Sequence, residues 1–121
     1  MYHLPRYLRA NGHALTPIVL AEGTDYTDAW AMPAIATETA TRRAILRRTY
    51  EELAHGERGG GGRQQGDQHL HYVNGTQLWG LDPLEVANAA PTVLGTHPSD
   101  LGEERLAHFW AGYFQSLLKG P

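Results

Sequence analysis

Apolar residues along this chain fall in helical, alternating and continuous patterns. Residues 3 to 12, His-Leu-Pro-Arg-Tyr-Leu-Arg-Ala-Asn-Gly, predict a short helix stopped by Asn11-Gly12. Pro17-Ile18-Val19-Leu20-Ala21 is a continuous apolar run of strand length, the pattern of a parallel strand buried on both faces. Glu22-Gly23-Thr24-Asp25 then breaks it with turn chemistry, and Tyr26 to Thr37 reads as irregular, with Trp30, Met32 and Pro33 packing a loop onto the body. From 38 to 55 the period becomes helical. Leu46, Tyr50 and Leu53 fall on one stripe, while Arg42, Arg43, Arg47, Arg48, Glu51 and Glu52 supply a solvated face. Residues 59 to 66 read as a glycine-rich flexible linker, without the spacing or the Lys-Ser/Thr of a phosphate loop.

His69-Leu70-His71-Tyr72-Val73-Asn74 alternates polar and apolar before Gly75, which predicts a second strand with one face toward water, at a sheet edge. Residues 76 to 96 predict mostly loop, with a turn of helix around Pro83 to Ala87. A final helix follows. Ser99 or Asp100 caps it, Asp100 and Glu103 have capping-box spacing, and Leu106, Trp110, Tyr113, Phe114 and Leu117 trace an apolar stripe expected to be core. The order helix, strand, helix, strand, helix implies parallel strands joined by right-handed crossovers, an α/β architecture. Two parallel strands are a poor core by themselves, so the pattern implies that something is missing.

Composition narrows the chemistry. The 121 residues suit one domain, and 41% hydrophobic with 19% charged residues is an ordinary globular balance. A net charge of −3 gives no electrostatic footprint for nucleic acid or an anionic membrane. With no cysteine, disulfides, thiolate zinc sites and cysteine nucleophiles are excluded. No apolar run approaches the roughly 18 residues of a bilayer span, and Met1 to His13 is too polar for a signal peptide. His69 and His71 share a strand face suited to a metal, but no third ligand lies nearby, so neither metal nor cofactor is expected. Serine occurs twice, at 99 and 116.

The stretch Thr92-Val-Leu-Gly-Thr-His97-Pro-Ser-Asp-Leu-Gly102 carries the chemistry. Its part from Gly95 to Gly102 resembles the last block of the SGNH (GDSL-type) hydrolases, serine esterases and acylhydrolases in which an Asp-x-x-His-Pro run precedes the final helix. Upstream, Thr16-Pro-Ile-Val-Leu-Ala-Glu22, Asp28-Ala-Trp30, Tyr50-Glu-Glu-Leu53 and Leu70-His-Tyr-Val-Asn-Gly75 occur in the order found in that family's carboxyl-terminal half. The resemblance thus covers most of the chain apart from the 59–66 linker and the 82–91 loop. It implies a partial flavodoxin-like three-layer α/β/α fold whose amino-terminal strands are missing. It also implies that residues 1–121 are the carboxyl-terminal portion of one domain, with His97 the catalytic base of ester hydrolysis through an acyl-serine.

The same resemblance exposes what is lacking. The family's triad acid lies three residues before the histidine, where this chain has Leu94, which can neither fix the imidazole tautomer nor stabilise its charged form. Asp100, Asp82 and Glu85 are the substitutes at hand. Neither serine has the strand-to-turn setting of a nucleophile, and the oxyanion-hole blocks have no counterpart, so the chain alone is expected to hydrolyse esters weakly or not at all. The expected partners are an ester substrate, such as an acylated carbohydrate or lipid, and an amino-terminal half. The alternative is a non-catalytic interaction module that pairs an exposed strand edge with such a half or with a second copy.

Overall fold

A computed structural model describes residues 3–24, 31–56, 66–80, 91–93, 95 and 97–119. The sequence readings at Asp25 and Asp28 to Trp30, over most of the 59–66 linker and most of the 82–91 loop (the Pro83 to Ala87 turn, Asp82 and Glu85 included), and at Leu94 lie outside the described residues. The rest is mixed helix and strand, in the order α1 (His3–Ala10), β1 (Ile18–Ala21), α2 (Pro33–His55), β2 (Leu70–Val73), β3 (Thr92–Val93), β4 (His97–Pro98) and α3 (Asp100–Lys119). The chain forms two compact units, 1–22 with 40–73 and 23–39 with 74–121.

In the first unit β1 and β2 pair in parallel, Ile18 opposite Leu70 through Ala21 opposite Val73, as the alternation of helices and strands predicts. Ile18 N–H donates to the His69 carbonyl and Glu22 N–H to that of Val73. Residues 18, 20 and 22 therefore turn their peptide groups to β2, leaving those of Val19 and Ala21 on the opposite edge. Leu70 and Val73 are buried, whereas Ile18 to Leu20 are only half-buried and Ala21 is exposed. The expectation that β1 is buried on both faces is corrected here, because a two-stranded sheet offers it too little cover.

Arg9 ties α1 to this sheet. Its guanidinium donates to both Asp67 carboxylate oxygens, at 2.8 and 3.2 Å, and to the carbonyls of His13, Thr16 and His69. The fork geometry lets one side chain gather α1, the approach to β1 and the approach to β2. Gly12, at φ 91°, ends α1 as its Asn-Gly signal predicts.

Two boundaries differ from the sequence reading. Helix α2 begins at Pro33, not 38, with the Met32 carbonyl accepting from the N–H groups of Ile35 and Ala36. Pro33 thus holds the first helical position, where its missing N–H costs nothing and its fixed φ favours the turn. Gly66, read as linker, is a packing residue. A Cβ built there would lie 1.8 Å from the Ala54 carbonyl oxygen, and Asp67 N–H donates to the Leu53 carbonyl.

The second unit centres on Trp79, Leu78, Gly75, Pro91, Thr92 and Gly102, all buried. Helix α3 forms where its periodicity predicts, but the capping box does not. Ser99 is the cap, with its Oγ accepting from Gly102 N–H at 3.2 Å and its carbonyl from Glu103 N–H at 2.8 Å. That places Gly102, not Glu103, three residues after the cap. The predicted core stripe is also corrected. Leu106, Trp110, Tyr113 and Leu117 are half-buried, Phe114 is exposed, and among the described residues of α3 only Gly102 is fully buried.

Candidate active site

His97 sits in a small antiparallel hairpin whose first strand, Thr92–Val93, lies within the 76 to 96 stretch read as mostly loop. Val93 is opposite His97, Thr92 is opposite Pro98, and the turn passes through Gly95 at φ 75°. Ser99 N–H donates to the Pro91 carbonyl at 2.9 Å, so the pairing continues for one more residue. Pro98 has no N–H to give and is tolerated because β4 is an edge. Pro91 anchors the hairpin, being fully buried, while Gly102 fits under its carbonyl. A Cβ on residue 102 would lie 1.9 Å from that oxygen and 3.1 Å from the Trp79 ring.

The result is an imidazole on β4, three residues before α3, with its side chain exposed. An accessible neutral imidazole can take a proton from a hydroxyl and later return it. No hydrogen bond to the His97 ring is found among the described residues. Asp100 is exposed on the first turn of α3, Ser99 engages the helix start and Ser116 is exposed within α3. Ser99 follows β4 directly, but its Oγ is engaged as the cap of α3, and Ser116 lies on the helix itself. Among the described residues no three His, Cys, Asp or Glu side chains cluster as metal ligands would. His69 lies in the turn before β2, its carbonyl committed to Ile18 and Arg9, and only His71 belongs to the strand.

A second polar cluster lies in the first unit. Glu22, at the carboxyl end of β1, has a side chain only 1% exposed. It accepts a hydrogen bond from the Tyr72 hydroxyl and one of 3.1 Å from Arg47, while Arg43 Nε stands 3.5 Å from its other oxygen. Arg47 also lies over the Tyr72 ring, 5.9 Å from its centroid, and Tyr50 packs on the same ring at 5.2 Å. Burial and the hydrogen bond to Glu22 push the Tyr72 phenol up against a smaller opposing pull from Arg47. Hydrogen bonds and charge from Tyr72 and Glu22 raise the Arg47 guanidinium. The largely solvated face expected for α2 holds at Arg42, Arg47, Arg48 and Glu51, all exposed, while Arg43, 18% exposed, turns with Arg47 toward a buried carboxylate.

Sequence reasoning took Glu22 as turn chemistry and missed this cluster. The available signal was the four-residue spacing of Arg43 and Arg47, which puts both on one helix face, together with an acid directly after an apolar strand. Neither protein-family models, nor curated proteins, nor solved structures give a match to the chain.

Proposed function

We propose that this chain corresponds to the carboxyl-terminal part of an SGNH-type esterase domain, a partial flavodoxin-like α/β/α fold in which His97 moves the proton during ester hydrolysis. The observation that carries the reading is the run Gly95 to Gly102, with its His-Pro in β4 directly before the last helix and the imidazole exposed. Parallel β1 and β2 with intervening α2 support the α/β part of the reading. In the parent reaction a serine hydroxyl attacks the ester carbonyl while His97 takes its proton. The protonated imidazole then passes that proton to the departing alkoxide. Water attacks the acyl-serine in the second half, again with His97 as base. Acylated carbohydrates or lipids are the substrate class.

The nucleophile is supplied from outside these residues in this reading. Purified chain is expected to show no ester turnover above a His97→Ala control. Mixing it with an amino-terminal polypeptide that carries a Gly-Asp-Ser strand is expected to produce turnover that serine-directed inhibitors and His97→Ala both abolish. Turnover by the chain alone that needs His97 but resists such inhibitors refutes the missing nucleophile. Complemented turnover indifferent to His97→Ala refutes its role as base.

One observation favours a second, non-catalytic reading. The Val19 and Ala21 peptide groups face away from β2 on a half-exposed apolar strand, a template for strand addition by an amino-terminal half or a second copy. Proline at Val19 removes one donor from that edge and is expected to abolish association while β1 still pairs with β2. Unchanged association sinks this reading.

A further inference from the structure

Asparagine occurs at 11, 74 and 88, and glycine follows the first two. Asparagine is thermolabile, and an Asn-Gly pair carries a latent reaction. The glycine nitrogen can attack the side-chain amide carbon one residue back, because no Cβ shields it and its backbone is free to turn. The fold treats the two pairs differently.

Asn11 and Gly12 are both exposed, just past the end of α1. Apart from its chain neighbours, no heavy atom stands within 4 Å of where a Gly12 Cβ would lie. The N–H groups of Asn11 and His13 both donate to the Leu8 carbonyl at 3.1 Å, whereas no acceptor for the Gly12 N–H between them is found among the described residues. The Asn11 side chain is held by Nδ2, which donates to the exposed Tyr7 carbonyl at 2.7 Å. That restraint is slight, since α1 has only 8 residues and the end of so short a helix opens readily.

Asn74 and Gly75 stand in the opposite situation. Gly75 is buried. Asn74 Oδ1 accepts from both the N–H and the hydroxyl of Thr76, at 3.0 and 2.9 Å, and so caps the short 3₁₀ turn Gly75–Gln77. Ring closure there has to break both bonds and open a buried peptide group.

We infer that Asn11 is a site of spontaneous deamidation in the folded chain and that Asn74 is protected from it. The Gly12 nitrogen gives up its proton and bonds to Asn11 Cγ, the Cγ–Nδ2 bond breaks, and ammonia leaves with that proton. Water then opens the cyclic imide at either carbonyl. One opening leaves aspartate. The other leaves isoaspartate, whose main chain runs through Cβ and Cγ and is one atom longer. Both products exchange the Nδ2 donor for a carboxylate at the end of α1, where the helix dipole is itself negative. The longer chain also displaces His13, whose carbonyl accepts from Arg9. The reaction therefore loosens the clamp by which Arg9 gathers α1 and the two strands.

The chain held in mildly alkaline buffer, with and without denaturing urea, then digested and read by mass spectrometry with fragmentation that separates aspartate from isoaspartate, tests the proposal. In native buffer the residue 11 peptide is expected to lose its amide at least about 10-fold faster than the residue 74 peptide, a ratio set by the additional hydrogen bonds that residue 74 must break. In urea, where only the shared dipeptide counts, the two rates are expected to converge. Equal loss at the two sites in native buffer, faster loss at 74, no loss at 11 while the urea-treated chain loses it, or a gap that persists undiminished in urea overturns the inference. Asn11→Asp reproduces the new charge and is expected to speed hydrogen exchange at the His13 N–H roughly 2- to 5-fold. Unchanged exchange there refutes the loosening of α1.

Discussion

Replacing Glu22 by glutamine keeps the shape of the side chain and removes one charge, which isolates what the carboxylate does at the end of β1. The amide oxygen can still accept from the Tyr72 hydroxyl, so that contact survives. The loss falls on the arginines. Removing one partner of a fully buried ion pair costs about 3–5 kcal/mol, because the other charge stays behind in a poor solvent. Arg43 is 18% exposed and comes close to that case, whereas Arg47 is 52% exposed and water screens most of its share. The expected loss is therefore about 2–3 kcal/mol, or roughly 10–20 °C in the midpoint of a unit this small. Urea and thermal unfolding followed by far-UV circular dichroism at neutral pH measure it. Arg48→Gln is the control, since Arg48 is 77% exposed where it pairs with Glu52 at 2.7 Å on the same helix, and the change is expected to cost about 0.5 kcal/mol or less. A Glu22→Gln loss no larger than that of the control refutes the reasoning. It would mean that desolvation of the carboxylate cancels its attraction to both arginines.

Asp67 is pushed up by burial but more strongly down by the Arg9 hydrogen bond and the His69 N–H, so its folded value lies below the unfolded one. Its contribution is present above about pH 4 and is lost as pH falls through the folded value; Asp67→Asn is expected to flatten the acid limb of a stability–pH curve. Tyr72 is raised, so its contribution holds below about pH 10 and is lost as pH rises through the folded value. Tyrosinate absorbance should show one late-titrating phenol that Tyr72→Phe removes. Gly102→Ala forces a Cβ into the Pro91 carbonyl and is expected to cost about 1–3 kcal/mol, with the His97 hairpin resonances shifting in a proton–nitrogen correlation spectrum. An unchanged melting point would show that the hairpin yields freely.

The sequence made the local features legible. Asn11-Gly12 stopped α1, the Ile18 to Ala21 run formed a strand parallel to β2, and Ser99 capped α3. Each depends on neighbours within a few residues. The misreadings share a different cause. Pro33 looked like a loop residue because proline interrupts helices everywhere except at their start. The Glu22 cluster joins residues 25 and 50 apart, and no periodicity encodes which acid an arginine will find. Burial was overestimated for β1 and α3, since a pattern says which face is apolar, not whether enough chain exists to cover it. The hairpin that holds His97 is not legible in the sequence, because pairs of two residues leave no periodic trace.

The division into two units carries a spectroscopic consequence. The spans 1–22 and 40–73 contain tyrosines but no tryptophan, while Trp79 and Trp110 both belong to the unit that carries His97. Indole emission thus watches one unit and is blind to the other, whereas Tyr50 and Tyr72 report on the Glu22 cluster. Emission from buried Trp79 and half-buried Trp110 gives the His97 hairpin and α3 an optical signal of their own, with no label added.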